Sequence, residues 1–269
     1  MPRLMLPDVD LAYQAAGDGP PVTFLHGFSQ RGVSWNEVVG LLGEGFTTVL
    51  PDLRGHGLTV AAPDAPHTMA ACASDLAGLW DRLGIGATHL VGYSMGGRLA
   101  LHLAARLPGR LLSVVAVSAH AGLAEEERGP RRAADEELAV RIESEGVEAF
   151  AEHWAALPLF AGLARRGPEV LGRLEQARRA NRAEGLAASL RGMGAGAMEP
   201  VWGRLAGFDR PALAVAGEAD RRYRDYAERL VAAIPGARLE VVPDAGHAVH
   251  LEQPERFVRA LRGFLEATG

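Results

Sequence analysis

Gly92-Tyr93-Ser94-Met95-Gly96 fits the pattern Gly-x-Ser-x-Gly, and this stretch decides the fold that we expect for the chain. The apolar run 88–91 precedes it and the alanine- and leucine-rich run 99–107 follows it, which predicts a strand, one sharp turn and a helix. That arrangement is typical of a nucleophile elbow, in which a strained turn presents Ser94 at the N-terminus of a helix. The alternative is a glycine-rich structural turn, because a chain with 33 glycines can produce this pentapeptide by chance.

Strands and helices alternate on both sides of the elbow. Short apolar or alternating runs predict further strands at 9–15, 21–25, 47–50, 111–118, 211–216 and 238–242. Helical spacing predicts helices at 34–42, with Ser34 as its N-cap, and at 68–83, 221–234 and 254–267. This order implies an α/β fold in which a mostly parallel central sheet is covered by helices on both faces.

The pattern changes between residues 122 and 207, where no convincing strand is found. This segment is rich in Arg, Glu, Ala and Leu, which indicates several helices. Because it lies between two sheet strands, we expect an inserted helical cap over the strand ends. The predicted organisation is therefore a core of residues 1–121 and 208–269 with a cap of residues 122–207.

Composition excludes some classes of function. Apolar residues make up 48% and charged residues 23% of the 269, and the net charge of −5 provides no basic surface for nucleic acid or an anionic membrane. The N-terminal residues form no extended apolar segment, so we expect neither a signal peptide nor insertion into a membrane. The single cysteine, Cys72, favours the cytoplasm. The sequence gives no indication of oligomeric state.

Three residues in chain order could form a proton relay. A serine hydroxyl is a weak nucleophile or base until another group takes its proton, and His247 stands in the loop after the last strand. Asp220 follows the preceding strand and could fix the imidazole, although it could also be an N-cap. Glu218 and Asp225 are weaker alternatives for the acid. The order Ser94, Asp220, His247 is the one expected for an α/β-hydrolase sheet.

An oxyanion hole requires two backbone N–H groups. Met95, directly after the serine, supplies one, and the loop after strand 21–25 supplies the other, for which Phe28 is the candidate. Gly27 lets the backbone come close. We expect His26 to hold this loop rather than to transfer protons.

Five segments in register also carry a family resemblance, namely 25–29, 92–98, 154–160, 190–194 and 246–252. The chain resembles the α/β-hydrolase superfamily over essentially its whole length, and within it the MenH family of 2-succinyl-6-hydroxy-2,4-cyclohexadiene-1-carboxylate synthases. That resemblance implies a lyase that needs no cofactor and no metal ion and removes pyruvate from a cyclohexene bearing several carboxylates. Tyr93 and Trp154 match aromatic site positions, although core packing is an alternative for Trp154.

The resemblance also assigns roles to particular arginines. It implies that Arg98, one turn after the serine, and Arg132 and Arg178 in the cap bind substrate carboxylates. A guanidinium pairs with a carboxylate in a bidentate manner, so three of them would suit a polyanion. The alternative for the cap pair is a solvated surface role. A Gly-Pro pair at 129–130 departs from the family pattern just before Arg132.

Three functions remain possible for the chain. The first is the elimination, with Ser94 activated by His247 and Asp220 as the base, acting on a small polycarboxylate. The second is a serine hydrolase that cleaves an ester, a thioester or a C–C bond through an acyl-enzyme. The third is a non-catalytic binding protein on the same fold, which does not require a complete Ser-His-Asp set.

Overall fold

The computed structural model describes residues 1–268, so Gly269, the last residue of the predicted core segment 208–269, lies outside the described residues. One central sheet runs through this part of the chain. Its strands are β1 (Arg3–Leu6), β2 (Val9–Ala16), β3 (Pro21–Leu25), β4 (Thr47–Pro51), β5 (Val60–Ala61), β6 (Thr88–Tyr93), β7 (Leu111–Val117), β8 (Ala212–Gly217) and β9 (Arg238–Val242).

The strand order in the sheet is β1-β2-β4-β3-β6-β7-β8-β9, with β5 paired to β2. Strands β3, β4 and β6 to β9 are parallel, whereas β1 and β2 form an antiparallel edge and β2 is antiparallel to β4. The loops after β3, β6, β7, β8 and β9 therefore leave the same edge of the sheet. Ligands of open α/β sheets bind at this carboxyl edge.

Helices cover both faces of the sheet, and four of them, α4 to α7, lie between β7 and β8 along the chain. They are α1 (Asn36–Leu42), α2 (Met69–Arg82), α3 (Met95–Arg106), α4 (Glu125–Ala155), α5 (Gly167–Arg179), α6 (Ala183–Met193), α7 (Trp202–Leu205), α8 (Arg221–Ala233), α9 (Val249–Glu252) and α10 (Pro254–Glu266). Among residues 1–268, no helix is long and apolar enough to cross a membrane.

Two apolar layers enclose the sheet because successive strand residues face opposite sides. In β6, Leu90 packs into the layer that includes α2, α3 and α8, while Val91 packs into the layer that includes α1 and α10. Both side chains are fully buried. This confirms the predicted parallel sheet with helices on both faces.

The segment between β7 and β8 is helical, and α4 turns sharply at Gly146, whose φ is +84°. Ile142 and Phe150 of α4 form a small apolar cluster with Leu186 and Leu190 of α6, and Phe28 from the loop after β3 packs against it. These helices therefore lie over the carboxyl edge of the sheet.

The structure differs from the prediction in three local features. Strands β1 and β5 were not predicted from the sequence. Helix α1 begins at Asn36, after a 3-10 turn over Gly32–Trp35, so Ser34 is not its N-cap. The Ser34 hydroxyl instead accepts a hydrogen bond from the Arg31 N–H within that turn.

Candidate active site

Ser94 occupies the sharp turn between β6 and α3, with φ +50° and ψ −108°. Few non-glycine residues adopt such a conformation, and such strain is concentrated at functional sites. A Cβ on Gly92 would lie 2.3 Å from the carbonyl oxygen of Gly96, and one on Gly96 would lie 2.3 Å from that of Leu25. Only glycine allows this turn, so the two glycines of the motif are required by close approach of backbone to backbone.

The serine, the histidine and the aspartate form one hydrogen-bonded chain. The Nε2 atom of His247 lies 3.2 Å from the Ser94 Oγ, and its Nδ1 atom lies 2.8 Å from Oδ2 of Asp220. An ionised carboxylate only accepts hydrogen bonds, so Nδ1 carries the proton and Nε2 is free to accept one from the serine. This arrangement can withdraw the proton of Ser94 and stabilise the imidazolium that results.

Asp220 combines the two roles that the sequence left open. Its Oδ2 contacts His247, while its Oδ1 accepts a hydrogen bond of 3.3 Å from the Tyr223 N–H and so caps α8. The weaker alternatives are placed elsewhere: Glu218 accepts from the Asp244 N–H, and Asp225 is exposed on α8.

A buried carboxylate fixes the loop that carries His247, and the sequence did not reveal this role. Glu252 accepts hydrogen bonds from the backbone N–H groups of Gly246 and Ala248, at 2.8 Å and 3.1 Å. These two residues flank His247 in the chain. The segment 246–252 was part of the family resemblance, but nothing in it indicated that Glu252 turns back onto the loop.

Two backbone N–H groups are available beside Ser94. Within residues 1–268, the N–H groups of Phe28 and Met95 donate to no other group, and both residues line the cavity that contains Ser94. Met95 is the first residue of α3, where N–H groups have no partner inside the helix. A Cβ on Gly27 would lie 2.7 Å from the Tyr93 ring, so this glycine is required for the close approach of the loop.

His26 holds the loop after β3 that carries Phe28, as expected. Its Nε2 accepts a hydrogen bond of 2.9 Å from the Leu53 N–H, so its Nδ1 is the donor to the Gly27 carbonyl, at 2.8 Å. Burial lowers the pKa of His26 to about 4. The ring is therefore neutral at physiological pH, with both nitrogens engaged.

A cavity of about 160 Å³ opens beside Ser94 and His247. Six other residues singled out in the sequence line it: Phe28, Tyr93, Met95, Arg98, Trp154 and Arg178. Trp154 packs on Phe28, with ring centroids 5.4 Å apart, so it contributes both to the cavity wall and to the apolar cluster under α4. The two interpretations of Trp154, as an aromatic residue of the site and as a core residue, are therefore compatible.

Arg132 is the exception, since Arg131 lines the cavity in its place. The Nη2 atom of Arg132 donates to the Gly196 carbonyl at 3.3 Å, whereas Arg131 pairs with Asp135 at 2.8 Å. Helix α4 continues through Pro130, so consecutive side chains lie about 100° apart and only one of the two can face the site. The structure therefore places Arg131, and not Arg132, in the lining of this cavity.

Arg98 and Arg178 are buried, with 8% and 7% of their surface exposed. Neither has a carboxylate partner in the described part of the chain: Arg98 donates to the Met193 carbonyl at 2.7 Å, and Nε of Arg178 has no partner. Burial lowers the pKa of Arg98 to about 10 and also lowers the pKa of Arg178. Both guanidiniums stay charged at neutral pH, so the cavity carries uncompensated positive charge.

The helical segment is joined to the core near this site by Asn181. Its Oδ1 accepts from the Gly57 N–H at 2.8 Å, and its Nδ2 donates to the Ser29 carbonyl at 2.9 Å. Ser29 follows Phe28 in the loop after β3. His120 and Tyr223 also line the cavity, and no role was predicted for either residue from the sequence.

Comparisons with known proteins show the family to which the chain belongs. Residues 20–254 match the model of the α/β hydrolase fold family. The chain is 36% identical to a Bacillus subtilis (strain 168) protein named putative 2-succinyl-6-hydroxy-2,4-cyclohexadiene-1-carboxylate synthase, over 94% of each chain.

Two solved structures are also similar over nearly the whole chain. MenH from S. aureus superimposes with a TM-score of 0.91 at 26% identity, over 95% of this chain and 98% of that one. A thermophilic esterase from Thermogutta terrifontis, solved with malate bound, gives 0.87 at 31% identity, over 100% and 99%. The chain therefore belongs to the α/β-hydrolase fold family and, within it, to the relatives of 2-succinyl-6-hydroxy-2,4-cyclohexadiene-1-carboxylate synthase.

Proposed function

We propose that the protein is a menaquinone-pathway lyase that eliminates pyruvate from 2-succinyl-5-enolpyruvyl-6-hydroxy-3-cyclohexene-1-carboxylate. The observation that carries this proposal is the pair of buried guanidiniums, Arg98 and Arg178, in the cavity beside Ser94. A buried charge without a partner is costly, and an anionic ligand removes that cost. The similarity to the Bacillus subtilis and S. aureus proteins supports the same reaction.

In this reaction Ser94 acts as a base and not as a nucleophile. Its oxygen takes a proton from the ring carbon next to the succinyl ketone while its own proton passes to Nε2 of His247, and Asp220 stabilises the imidazolium. The Phe28 and Met95 N–H groups stabilise the enolate oxygen. The electron pair then forms a double bond between ring carbons 2 and 3, the existing double bond between carbons 3 and 4 moves to carbons 4 and 5, and the C–O bond from carbon 5 to the enolpyruvyl group breaks.

The proton balance closes without water. The leaving enolpyruvate takes the proton from His247, Ser94 keeps the proton from the ring carbon as its new hydroxyl hydrogen, and the enol becomes pyruvate in its keto form. The products together have the composition of the substrate. In the proposed organisation, residues 122–207 are the cap that closes over the substrate, since Trp154, Phe160 and Arg178 from this segment line the cavity.

Pyruvate release provides the direct test. The wild type and Ser94→Ala are incubated with the substrate, and pyruvate is followed by its reduction with NADH and lactate dehydrogenase. We expect rapid release by the wild type and a loss of roughly 1,000-fold or more in the variant. Ser74→Ala, an exposed serine on α2, is the matched control. Release by the wild type at the uncatalysed rate would rule the proposal out.

The runner-up function is ester hydrolysis, which the Ser-His-Asp geometry and the similarity to the Thermogutta terrifontis esterase favour. Arg178→Met separates the two functions, because an uncharged ester does not need a guanidinium. If hydrolysis is the main activity, this variant keeps ester turnover, and an acyl group on Ser94 is detected by mass. A binding protein without catalysis would show no difference between wild type and Ser94→Ala on any of these substrates.

A further inference from the structure

His120 follows β7 at the carboxyl edge of the sheet and lines the cavity that contains Ser94. It is 2% exposed, and its ring packs on Tyr226 with centroids 5.0 Å apart. The Nδ1 atom lies 3.1 Å from the backbone nitrogen of Gly122. A backbone N–H can only donate, so Nδ1 must be the acceptor and carries no hydrogen.

This contact fixes the tautomer of the neutral ring. When Nδ1 has no hydrogen, a neutral imidazole carries its only N–H at Nε2. Burial, together with three nearby arginines, lowers the pKa of His120 to about 2, so the ring does not become protonated at physiological pH. The three arginines are Arg98, Arg131 and Arg222. The Nε2 atom makes no hydrogen bond within residues 1–268, and it is not sealed from solvent.

His120 therefore offers one oriented donor in a wall that already holds Arg98 and Arg131. A third cation there would add repulsion, whereas a neutral N–H adds a hydrogen bond without adding charge. The ring cannot serve as a base through Nδ1, because that atom is occupied by the Gly122 N–H.

We propose that His120 is a substrate-binding residue whose Nε2–H donates to a carboxylate oxygen of the ligand paired with Arg98. The inference deepens the proposed function, since it assigns a neutral donor to the site that takes the substrate carboxylates. It requires only that the cavity binds a dicarboxylate, so it can be tested without the elimination reaction.

Two substitutions separate the two ring nitrogens. In His120→Asn the side-chain oxygen can occupy the position of Nδ1 and still accept from Gly122, but the donor at Nε2 is lost. In His120→Gln the amide nitrogen can occupy the position of Nε2 and still donate, but the acceptor for Gly122 is lost. A role confined to the loop would therefore be preserved by Asn, whereas a ligand-binding role would be preserved by Gln.

Succinate, a simple dicarboxylate, is the probe, and its affinity is measured by calorimetry for the wild type and both variants. We expect roughly tenfold or more weaker binding for His120→Asn and a change of less than about threefold for His120→Gln. His102→Asn, a buried histidine of α3 outside the cavity lining, is the control and should bind as the wild type does. Wild-type affinity in the Asn variant, or an equal loss in the Gln variant, would overturn the proposal.

Nitrogen NMR of the wild type covers the case in which a variant does not fold. The His120 ring should show the neutral tautomer with hydrogen on Nε2, and the signal of that hydrogen should move downfield when succinate is added. A hydrogen on Nδ1, or an Nε2–H signal that succinate leaves unchanged, also overturns the proposal. If succinate binding follows the expected pattern but no pyruvate is released from the cyclohexene substrate, the proposed function fails alone.

Discussion

Asp220 holds His247 through Oδ2, at 2.8 Å from Nδ1, and leaves its Oδ1 to the first turn of α8. One carboxylate thus ties the orientation of the His247 ring to the start of a helix that packs on β8. The two functions can be separated because they use different oxygens. They also require different properties, since the cap needs an acceptor and the imidazolium needs a negative charge.

Asp220→Asn should lower kcat strongly and change stability little. The amide oxygen can still cap α8, but the charge that stabilises the imidazolium is lost. We expect kcat for pyruvate release to fall roughly 1,000-fold or more and the free energy of unfolding to change by less than about 1 kcal/mol. Steady-state kinetics and urea denaturation measure the two quantities. Asp225→Asn on the same helix is the control, and near-normal kcat in Asp220→Asn would assign the acid to another residue.

Arg178→Met should make the free protein more stable and less active. The guanidinium is buried without a carboxylate partner among the described residues, and an apolar side chain of similar length removes that cost. We expect the free energy of unfolding to rise by about 1 kcal/mol or more. We expect kcat/KM for the polycarboxylate to fall roughly 100-fold, because a buried ion pair with the ligand is lost.

Denaturation without ligand and initial rates with substrate check both parts of the Arg178 prediction. The comparison variant is Arg173→Met, which removes an exposed arginine of the same helix that pairs with Glu169. A loss of stability in Arg178→Met would show that the guanidinium has a structural role.

Glu252→Gln should loosen the loop that carries His247. The carboxylate accepts hydrogen bonds from the N–H groups of Gly246 and Ala248. In glutamine, the side-chain NH2 group would replace one carboxylate oxygen and face one of these N–H groups, so two donors would meet and that hydrogen bond would be lost. We expect a loss of about 1–3 kcal/mol in the free energy of unfolding. We also expect a lower kcat with a smaller change in KM, because Glu252 positions His247 and does not line the cavity. The exposed Glu255→Gln on α10 should behave as the wild type, and an unchanged kcat in Glu252→Gln would contradict the positioning role.

Buried histidines should make the protein less stable in mild acid. The pKa of His26 is about 4 in the folded protein and near 6.5 in the unfolded chain. Between these values the unfolded chain binds a proton that the folded chain does not, so stability falls as the pH drops from about 6.5 to about 4. Each such residue contributes up to about 1.4 kcal/mol per pH unit. His56 and His250, whose pKa values burial lowers to about 3, act in the same direction.

Urea denaturation over this pH range measures the slope. His26→Gln keeps an acceptor for the Leu53 N–H and should remove about one proton from the number taken up on unfolding. The same substitution at the exposed His153 is the control. A His26→Gln slope equal to that of the wild type would mean that the His26 ring is already protonated in the folded protein.

Much of the fold could be predicted from the sequence because most parallel strands are short, largely apolar runs bounded by turns. Strands β3, β4, β6, β8 and β9 lie within a residue or two of their predicted positions. Strand β1 was missed because it is a partly exposed edge strand, and its pairing with β2 through the turn at Pro7 and Asp8 is a tertiary contact. Strand β5 has only two residues, too few to show a period.

The site was predictable where position along the chain determines position in space. Ser94, Asp220 and His247 each follow a parallel strand, so the sheet brings them to one edge. The face of a long helix is harder to predict, since an error of one residue rotates the side chain by about 100°, and this separates Arg131 from Arg132. Glu252 and the tautomer of His120 depend on which backbone N–H lies nearby, and the sequence carries no signal of that.

Asn181 links the position of the helices over the cavity to the position of a backbone donor beside Ser94. Its side chain spans from the Gly57 N–H to the Ser29 carbonyl, one residue from the amide donor of Phe28. Displacing the helical segment would break both hydrogen bonds and free the loop that presents this donor. The Phe28 N–H would then be held beside Ser94 only while the helical segment covers the cavity, so water entering an open cavity would meet Ser94 without this donor.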